Sequence, residues 1–289
     1  MTFTLKVTPK TQGGIGFKAN WLVKMARKLC RVLIQGLRLN GENFFSNEFI
    51  QCLDPKSAVD WNRGTLFFRT GHGRLKWRVD SFATEEPLMI EWLSEFGKDD
   101  VFLDVGANVG IYTVPAATLA GRVIAVELDP SNVGILYENC FLNKLTEKVV
   151  IVPLGVGDRN SVELVYYRDF SKGDALQSVA RPSPFQTRTT SNAHKCLQAI
   201  ASLDSIFDIF GLPQPNKIKI DVDGNERAVF DGGRRVILAA SEIYFEDCQT
   251  EDSDYVLDCL YAAGFTVSRK LATGNENFGG SANLVLVRK

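Results

Sequence analysis

The chain has 289 residues, of which 45% are hydrophobic and 23% charged, with 33 Lys and Arg against 34 Asp and Glu. That is enough for one large globular domain plus an extension, and no apolar run approaches the ~18–20 residues that span a bilayer. The six cysteines are spaced widely and irregularly without a C-x-x-C pair, and the two histidines lie far apart. This excludes a disulfide scaffold and a histidine-built metal centre, and it fits reduced thiols in a cytoplasmic protein.

Residues 1–41 hold eight Lys or Arg and no acidic residue, leaving 25 of the 33 basic residues against 34 acidic ones in the rest. A nucleic-acid enzyme usually carries its basic surface around the working site as well, so no nucleic-acid partner is expected. Residues 17–38 predict a helix, with Trp21, Met25, Leu29, Val32 and Leu33 near helical spacing and Lys24, Arg27, Lys28, Arg31 and Arg38 interleaved. Three readings of it stay open: a membrane-surface helix giving peripheral membrane contact, an organellar transit peptide, and a packed helix with a solvated basic face. The third is preferred. Strands are expected at Thr65–Arg69 and Leu75–Val79, turned at Gly71 and Gly73. Residues 1–85 are thus expected to form an extension with a small β region, and residues 86–289 the main domain.

From Glu86 the pattern changes. Pro87 opens a helix that ends near Gly97. Strands then alternate with helices: Val101–Val105, helix Gly110–Ala120, strand Val123–Glu127, a helix capped by Asp129 with Pro130 at its first position, and strand Val149–Pro153. After a long irregular stretch come helix Leu203–Phe210, strand Lys217–Val222, helix Glu226–Ala240 with a break at Gly232 and Gly233, strand Glu242–Glu246 and helix Asp252–Ala263. Two apolar strands close the chain, Phe265–Arg269 and Ala282–Val287. Strands separated by helices should be parallel and buried on both faces, whereas two strands with no helix between them are most simply antiparallel. The expected fold class is therefore α/β, a mostly parallel sheet with a C-terminal antiparallel hairpin.

The densest motif is V-F-L-D-V-G-A-N-V-G-I, an apolar strand that ends in Asp104 and turns through Gly106, Ala107, Asn108 and Gly110 into a helix. Ligands of open α/β sheets sit at such strand ends, and glycines let backbone approach them closely. A dinucleotide site would need G-x-G-x-x-G to seat a pyrophosphate on the helix N-terminus. Here the glycines are four apart and follow a carboxylate. A carboxylate suits a cation, and S-adenosylmethionine (SAM) carries a sulfonium and an ammonium. Glu127, followed by Leu128, ends the next strand, where an acidic side chain can accept hydrogen bonds from both ribose hydroxyls of a nucleoside. Gly157 and Asp158 follow the third strand, at the expected adenine edge.

A second motif is K-I-K-I-D-V-D-G-N-E. Lys219 and Asp221 are two apart on a strand and share one face. With Asp223 and Glu226 they form a polar cluster at the strand's carboxyl end, the kind of ionisable group that collects in clefts. Glu246 ends the neighbouring strand.

Together, D-V-G-A-N-V-G-I-Y-T, the V-E-L-D-P after it, and K-I-D-V-D-G-N-E with S-L-D-S-I upstream resemble the FkbM family of SAM-dependent methyltransferases, from about Glu86 to the C-terminus. The resemblance implies the class I, Rossmann-like methyltransferase fold and O-methylation of a small-molecule hydroxyl, on a sugar or a polyketide-type product. It implies that Asp104, Gly106, Asn108 and Gly110 line the methionine end of SAM and that Glu127 holds the ribose. Lys219, Asp221 and Glu226 would lie where the acceptor meets the methyl group. Asp223 stands where the family usually has glutamate, and Asn225 where it has a small residue.

An alcohol acceptor must lose its proton as the new bond forms, and Asp221 is the first expected base, with Glu226 or Glu246 the second. Mg2+ held by Asp221 and Glu246 is an alternative that lacks an obvious third ligand. The stretch from Asp158 to Ser202 is expected to cover the acceptor, with a strand at Val162–Tyr167 and Tyr166, Tyr167, Phe170 and Phe185 as apolar surface. A SAM-binding scaffold without catalysis and a nicotinamide dehydrogenase are the competing functions. The intact Lys219–Asp221–Glu226 set speaks against the first, and the glycine spacing and terminal hairpin against the second.

Overall fold

A computed structural model describes residues 55–289 apart from 63, 72, 168–170, 176, 180–193, 273–280 and 289, together with Met25, Lys28, Leu29 and Val32. The chain divides into two compact units, Met1–Asp54 and Pro55–Lys289. In the first, the four described residues are helical and exposed. The other residues of the predicted 17–38 helix lie outside the described ones. Among the described residues no helix is long and apolar enough to cross a membrane.

The second unit begins with an antiparallel pair, β1 (Lys56–Trp61) and β2 (Gly64–Arg69), followed by helix α1 (Gly73–Asp80). The unit boundary thus falls before β1, not at the expected 85/86. The tie is polar as well as apolar. β2 offers its free edge to α4 (Pro130–Leu142) and the residue after it, where Asn139 Oδ1 accepts from Arg69 N (2.9 Å) and Asn143 Oδ1 accepts from Phe67 N (2.9 Å). Trp61 Nε1 donates to Thr118 Oγ1 at 3.1 Å. The expected strand Leu75–Val79 is helical. Leu75 and Val79 are its buried residues, four apart on one face, while Trp77 between them is 51% exposed. Alternation over so short a run fits either period, and burial chose the helix.

Helix α2 (Pro87–Ser94) starts at the proline and buries Leu88, Met89, Ile90, Trp92 and Leu93. The main elements follow: β3 (Val101–Val105), α3 (Thr113–Leu119), β4 (Arg122–Val126), α4, β5 (Val149–Val152), β6 (Gly155–Val156), β7 (Ser161–Tyr167), β8 (Ser178–Val179), β9 (His194–Ala201), α5 (Leu203–Phe210), β10 (Lys217–Ile220), α6 (Glu226–Gly232), α7 (Arg234–Leu238), β11 (Glu242–Asp247), α8 (Glu251–Ala262), β12 (Phe265–Ala272) and β13 (Ala282–Arg288).

The central sheet has seven strands among the described residues, in the order β12-β13-β11-β10-β3-β4-β5. Its β3, β4, β5, β10 and β11 pairings are parallel, while β13 runs antiparallel between β11 and β12. The fold is thus α/β with a terminal hairpin whose second strand is inserted beside β11. One core packs α2, α3 and α4 on one face of the sheet, and a second packs α5 to α8 on the other. The chain steps outward from β3 to β5 and then returns to place β10 on the other side of β3. That reversal opens a crevice at the carboxyl ends of β3 and β10.

The stretch between Asp158 and Ser202 is not wholly irregular. β7 and β9 pair antiparallel from Ser161↔Ile200 to Tyr167↔His194, and β6 and β8 complete a four-stranded sheet. Tyr167 is fully buried there. Phe170 and Phe185 lie outside the described residues.

Candidate active site

Strand register builds the floor. Asp104 on β3, Lys219 on β10 and Tyr244 on β11 are lateral partners in three adjacent strands, so their side chains form one row on one face. Lys219 Nζ lies 3.9 Å from Asp104 Oδ1 and donates to Asp221 Oδ2 at 2.7 Å. Thr113 Oγ1 donates to Asp104 Oδ2 at 2.5 Å. Lys219 and Asp104 are 2% and 1% exposed. Burial alone would neutralise the lysine, yet Asp221, Asp104 and Glu86 hold its pKa above the ordinary value. Burial likewise opposes ionised Asp221, but the Lys219 ammonium and hydrogen bonds from Lys219 and Glu246 outweigh it and lower its pKa. Glu246 goes the other way: the charge of Asp221, then burial, pushes it up to about 9, so it stays protonated beside Asp221.

Backbone geometry brings the two motifs together. Gly106 has φ +83°, and a Cβ there would overlap the carbonyl oxygen of Asp221. The glycine is needed as much for this crossing as for any ligand. Asn108 also takes a positive φ of 51°, and Asp223 one of 53°. Gly106 and Ala107 both donate their N–H to Val126 O at 3.0 Å. Glu127, 6% exposed, accepts from Asn108 N on one carboxylate oxygen and from Asp129 N on the other, each at 2.7 Å. Burial lifts its pKa to about 7 against those two donors. Gly106, Asn108, Glu127 and Leu128 line a cavity of 160 Å3 with Gly155, Val156, Asp221, Asp223 and Asn225.

A second cavity, of 370 Å3, is lined by Arg74, Trp77, Arg78, Glu85, Glu86 and Tyr112, among others, and Arg78 and Ala175 line both. Glu86 holds the N-cap position of α2 yet caps nothing with its side chain. It turns instead toward the sheet, where Tyr244 Oη donates to its Oε2 at 3.1 Å. Burial, then the charge of Asp221, raises its pKa to about 7.

Residues 171–175 and 177–179 cover the seam. Asn108 Nδ2 and Asn132 Nδ2 donate to Asp174 O at 2.8 and 3.0 Å, Gly173 N donates to Asn132 Oδ1 at 2.7 Å, and Arg78 Nε donates to Gly173 O at 2.9 Å. Arg74 pairs with the Asp174 carboxylate. Gly173, Asp174 and Ala175 line the larger cavity, and Ala175, Gln177 and Val179 the smaller. The cover is therefore shared by both cavities.

The expected residues divide. Asp221, Lys219 and Glu246 meet as one hydrogen-bonded cluster, with Asp104 beneath it. Asp104 is sealed under the floor and faces Thr113 and Lys219, not the cavity. Gly110 lies against Leu136 of α4. Gly157 is packed against Gly232 and Ile200, and Asp158 is exposed and pairs with Arg159 at 3.1 Å. Gly155 and Val156, not these two, line the smaller cavity. Glu226 sits at the start of α6, accepting from Gly224 N at 2.8 Å, with its other oxygen buried and without a hydrogen bond. It lines neither cavity. Sequence reading passed over Glu86, Tyr112, Tyr244 and Arg78. Glu86 carried one weak signal, a glutamate at a cap position that Ser, Thr, Asp or Asn normally fill. Among the described residues no group of three or more His, Cys, Asp or Glu is arranged to hold a metal ion.

Residues 104–267, more than half of the chain, match the Methyltransferase FkbM domain. The chain belongs to the FkbM methyltransferase family. It is similar to the hexuronic acid methyltransferase AglP of Haloferax volcanii, 27% identical over 205 residues that cover 70% of this chain and 78% of that one. A tRNA (guanine(37)-N(1))-methyltransferase of Anopheles gambiae is 29% identical over 122 residues, 42% of this chain. The chain spans only about a fifth (21%) of that relative. Among solved structures, the FkbM methyltransferase of Methylobacillus flagellatus aligns with a TM-score of 0.45 at 15% identity, covering 68% of this chain and 46% of that one. The precorrin-6y C5,15-methyltransferase of Geobacter metallireducens aligns with a TM-score of 0.44 at 14% identity, covering 71% and 89%.

Proposed function

We propose that the protein is a SAM-dependent O-methyltransferase acting on a hydroxyl of a small molecule of the sugar-acid class. The observation that carries this reading is the pair of cavities sharing Arg78 and Ala175, with Asp221 lining one and Glu86 the other. A donor and an acceptor held in them would meet over the Lys219–Asp221–Glu246 cluster.

The smaller cavity fits the donor. Glu127, which lines this cavity, is buried and accepts from two backbone N–H groups and from Asn132, which fix its carboxylate where a ribose hydroxyl would reach it. Gly106 lines its wall, and ionised Asp221 offsets a cationic ligand. SAM supplies an activated methyl on a sulfonium, so alignment and exclusion of water account for much of the rate. The protein's remaining task is to receive the proton of the acceptor hydroxyl, and a carboxyl group beside the cavities serves it. The name of the Haloferax volcanii relative supports a sugar acid as acceptor. Arg78, which lines the larger cavity, suits an acceptor carboxylate. Exposed Trp77 offers a flat apolar face to a sugar ring.

The test is calorimetric titration with S-adenosylhomocysteine (SAH), with NAD as the control, followed by methyl transfer from labelled SAM to a panel of hexuronic acids. SAH binding that is lost in Glu127→Ala, together with labelled ether product, is expected. Folded protein that ignores SAH would remove the reading. Binding of SAH with no transfer to any acceptor would favour a non-catalytic scaffold.

A further inference from the structure

We propose that Glu86, outside the matched family segment, is the general base that takes the proton from the acceptor hydroxyl. The assignment rests on the methyl-transfer reading above. Three interacting carboxyl groups, Glu86, Asp221 and Glu246, lie at the site, Glu86 and Asp221 each lining one cavity, and their partners separate their roles. Asp221 has its Oδ2 on the Lys219 ammonium at 2.7 Å and a further hydrogen bond from Glu246. A carboxylate so stabilised is a weak proton acceptor, and Asp221 lines the smaller cavity. Glu246 already carries a proton, committed to Asp221. Glu86 alone of the three lines the larger cavity.

Its surroundings suit the task. Glu86 is met by Tyr112 before α3, by Lys219 and Asp221 from β10 and its end, and by Tyr244 and Glu246 on β11, with Arg78 and Glu85 on the same cavity wall. Tyr244 and Tyr112 both hydrogen-bond to it, and burial raises the pKa of both phenols. They remain donors that aim the carboxylate without competing for the proton. Burial and Asp221 bring Glu86 itself to about 7, the range in which a base is ionised yet still accepts a proton readily. In the step, the acceptor oxygen forms a bond to the methyl carbon and the carbon–sulfur bond breaks, its electron pair staying on sulfur. The hydroxyl proton passes to Glu86, which then releases it to water through the cavity.

The experiment uses the full-length protein, Glu86→Gln and Tyr244→Phe, with SAH in calorimetry, SAM plus D-glucuronic acid in turnover, and carboxyl titration by 13C NMR. The wild type should show a carboxyl titrating near pH 7 that is missing in Glu86→Gln. Glu86→Gln should bind SAH within about two-fold of wild type while turnover falls ~100-fold or more at little changed acceptor KM, and the rise of kcat/KM through neutral pH should vanish. Tyr244→Phe removes a donor to the ionised form, so that rise should move to higher pH. Turnover within about three-fold of wild type in Glu86→Gln, or an unchanged pH rise, would overturn the assignment and leave the methyltransferase reading intact. A wild type that fails to bind SAH would remove that reading, and this one with it. If the wild type binds SAH but spares D-glucuronic acid, the titration decides: a Glu86 carboxyl protonated above about pH 8 overturns the assignment.

Discussion

At the scale of single residues, the site depends on one buried cation. Lys219 is 2% exposed and serves two carboxylates, Asp104 and Asp221, of which Asp104 Oδ1 has no hydrogen bond of its own. Removing one partner of a buried ion pair costs about 3–5 kcal/mol, because the charge left behind has lost its compensation. Lys219→Met should therefore destabilise the fold by about that amount, read from denaturant midpoints, with a normal slope m. A loss below about 1 kcal/mol would mean that the lysine serves only ligands. These residues were legible in the sequence because their spacing is local: Lys219 and Asp221 are two apart on a strand, and Asp104 ends the strand before a glycine turn. Their division of labour was not legible. Asp104, expected to face the ligand, supports Lys219 from below, since strand register sets the two side by side under the floor.

At the scale of elements, the cover over the cavities is a loop held by side chains of helices. Asn132 on α4 is fully buried and makes two hydrogen bonds to residues 173 and 174. Asn132→Ala loses both and leaves the buried Gly173 N–H without its acceptor, while Asp174 O keeps Asn108 Nδ2, so it should cost about 1–3 kcal/mol and loosen the cover. SAH dissociation should quicken and proteolysis within 171–175 should rise, both measurable by stopped flow and limited digestion. An unchanged off-rate would show that the cover does not hold the ligand. A second element-level expectation concerns the crossing of the two motif loops. Gly106→Ala puts a methyl group onto the Asp221 carbonyl and imposes a positive φ on a residue with a Cβ. SAH binding should be lost, together with part of the stability. The strand–helix alternation after Pro87 was readable because each segment repeats one period. The α1 segment failed because Leu75, Trp77 and Val79 alternate over only five residues, and the contact that settles their state comes from elsewhere in the chain.

At the scale of the whole molecule, the buried carboxyls set an unusual pH dependence. Burial raises Glu127 from 4.5 to about 7, and Glu246 is raised to about 9 by Asp221 and burial. A carboxyl whose folded pKa is raised binds more protons in the folded than in the unfolded protein between the two values. Stability should therefore fall as pH rises through that window, by roughly 3 kcal/mol for Glu127 alone. Asp221, lowered by Lys219 against burial, acts oppositely, and its contribution disappears only as pH falls below the ordinary carboxylate range. The unliganded protein should melt higher near pH 5 than near pH 8, with a smaller difference in Glu127→Gln, as differential scanning fluorimetry would show. A ligand that donates hydroxyls to ionised Glu127 should bind more tightly across the same rise. Melting that climbs steadily from pH 5 to 8 would contradict this charge arrangement.

The sequence by itself determined the α/β alternation, the terminal hairpin, the loop after β3, the acidic end of β4 and the Lys219–Asp221 pair. Each is written in a continuous run whose period or spacing acts through neighbouring backbone. Only the tertiary structure decided that residues 55–80 join the main unit, that Gly173–Ala175 with Gln177 and Val179 cover both cavities, and that Glu86, Arg78, Tyr112 and Tyr244 surround the cluster. These residues come from five separate segments. What unites them is strand register and helix packing across the sheet, and no local spacing encodes a meeting between side chains such as Glu86 and Tyr244, 158 positions apart.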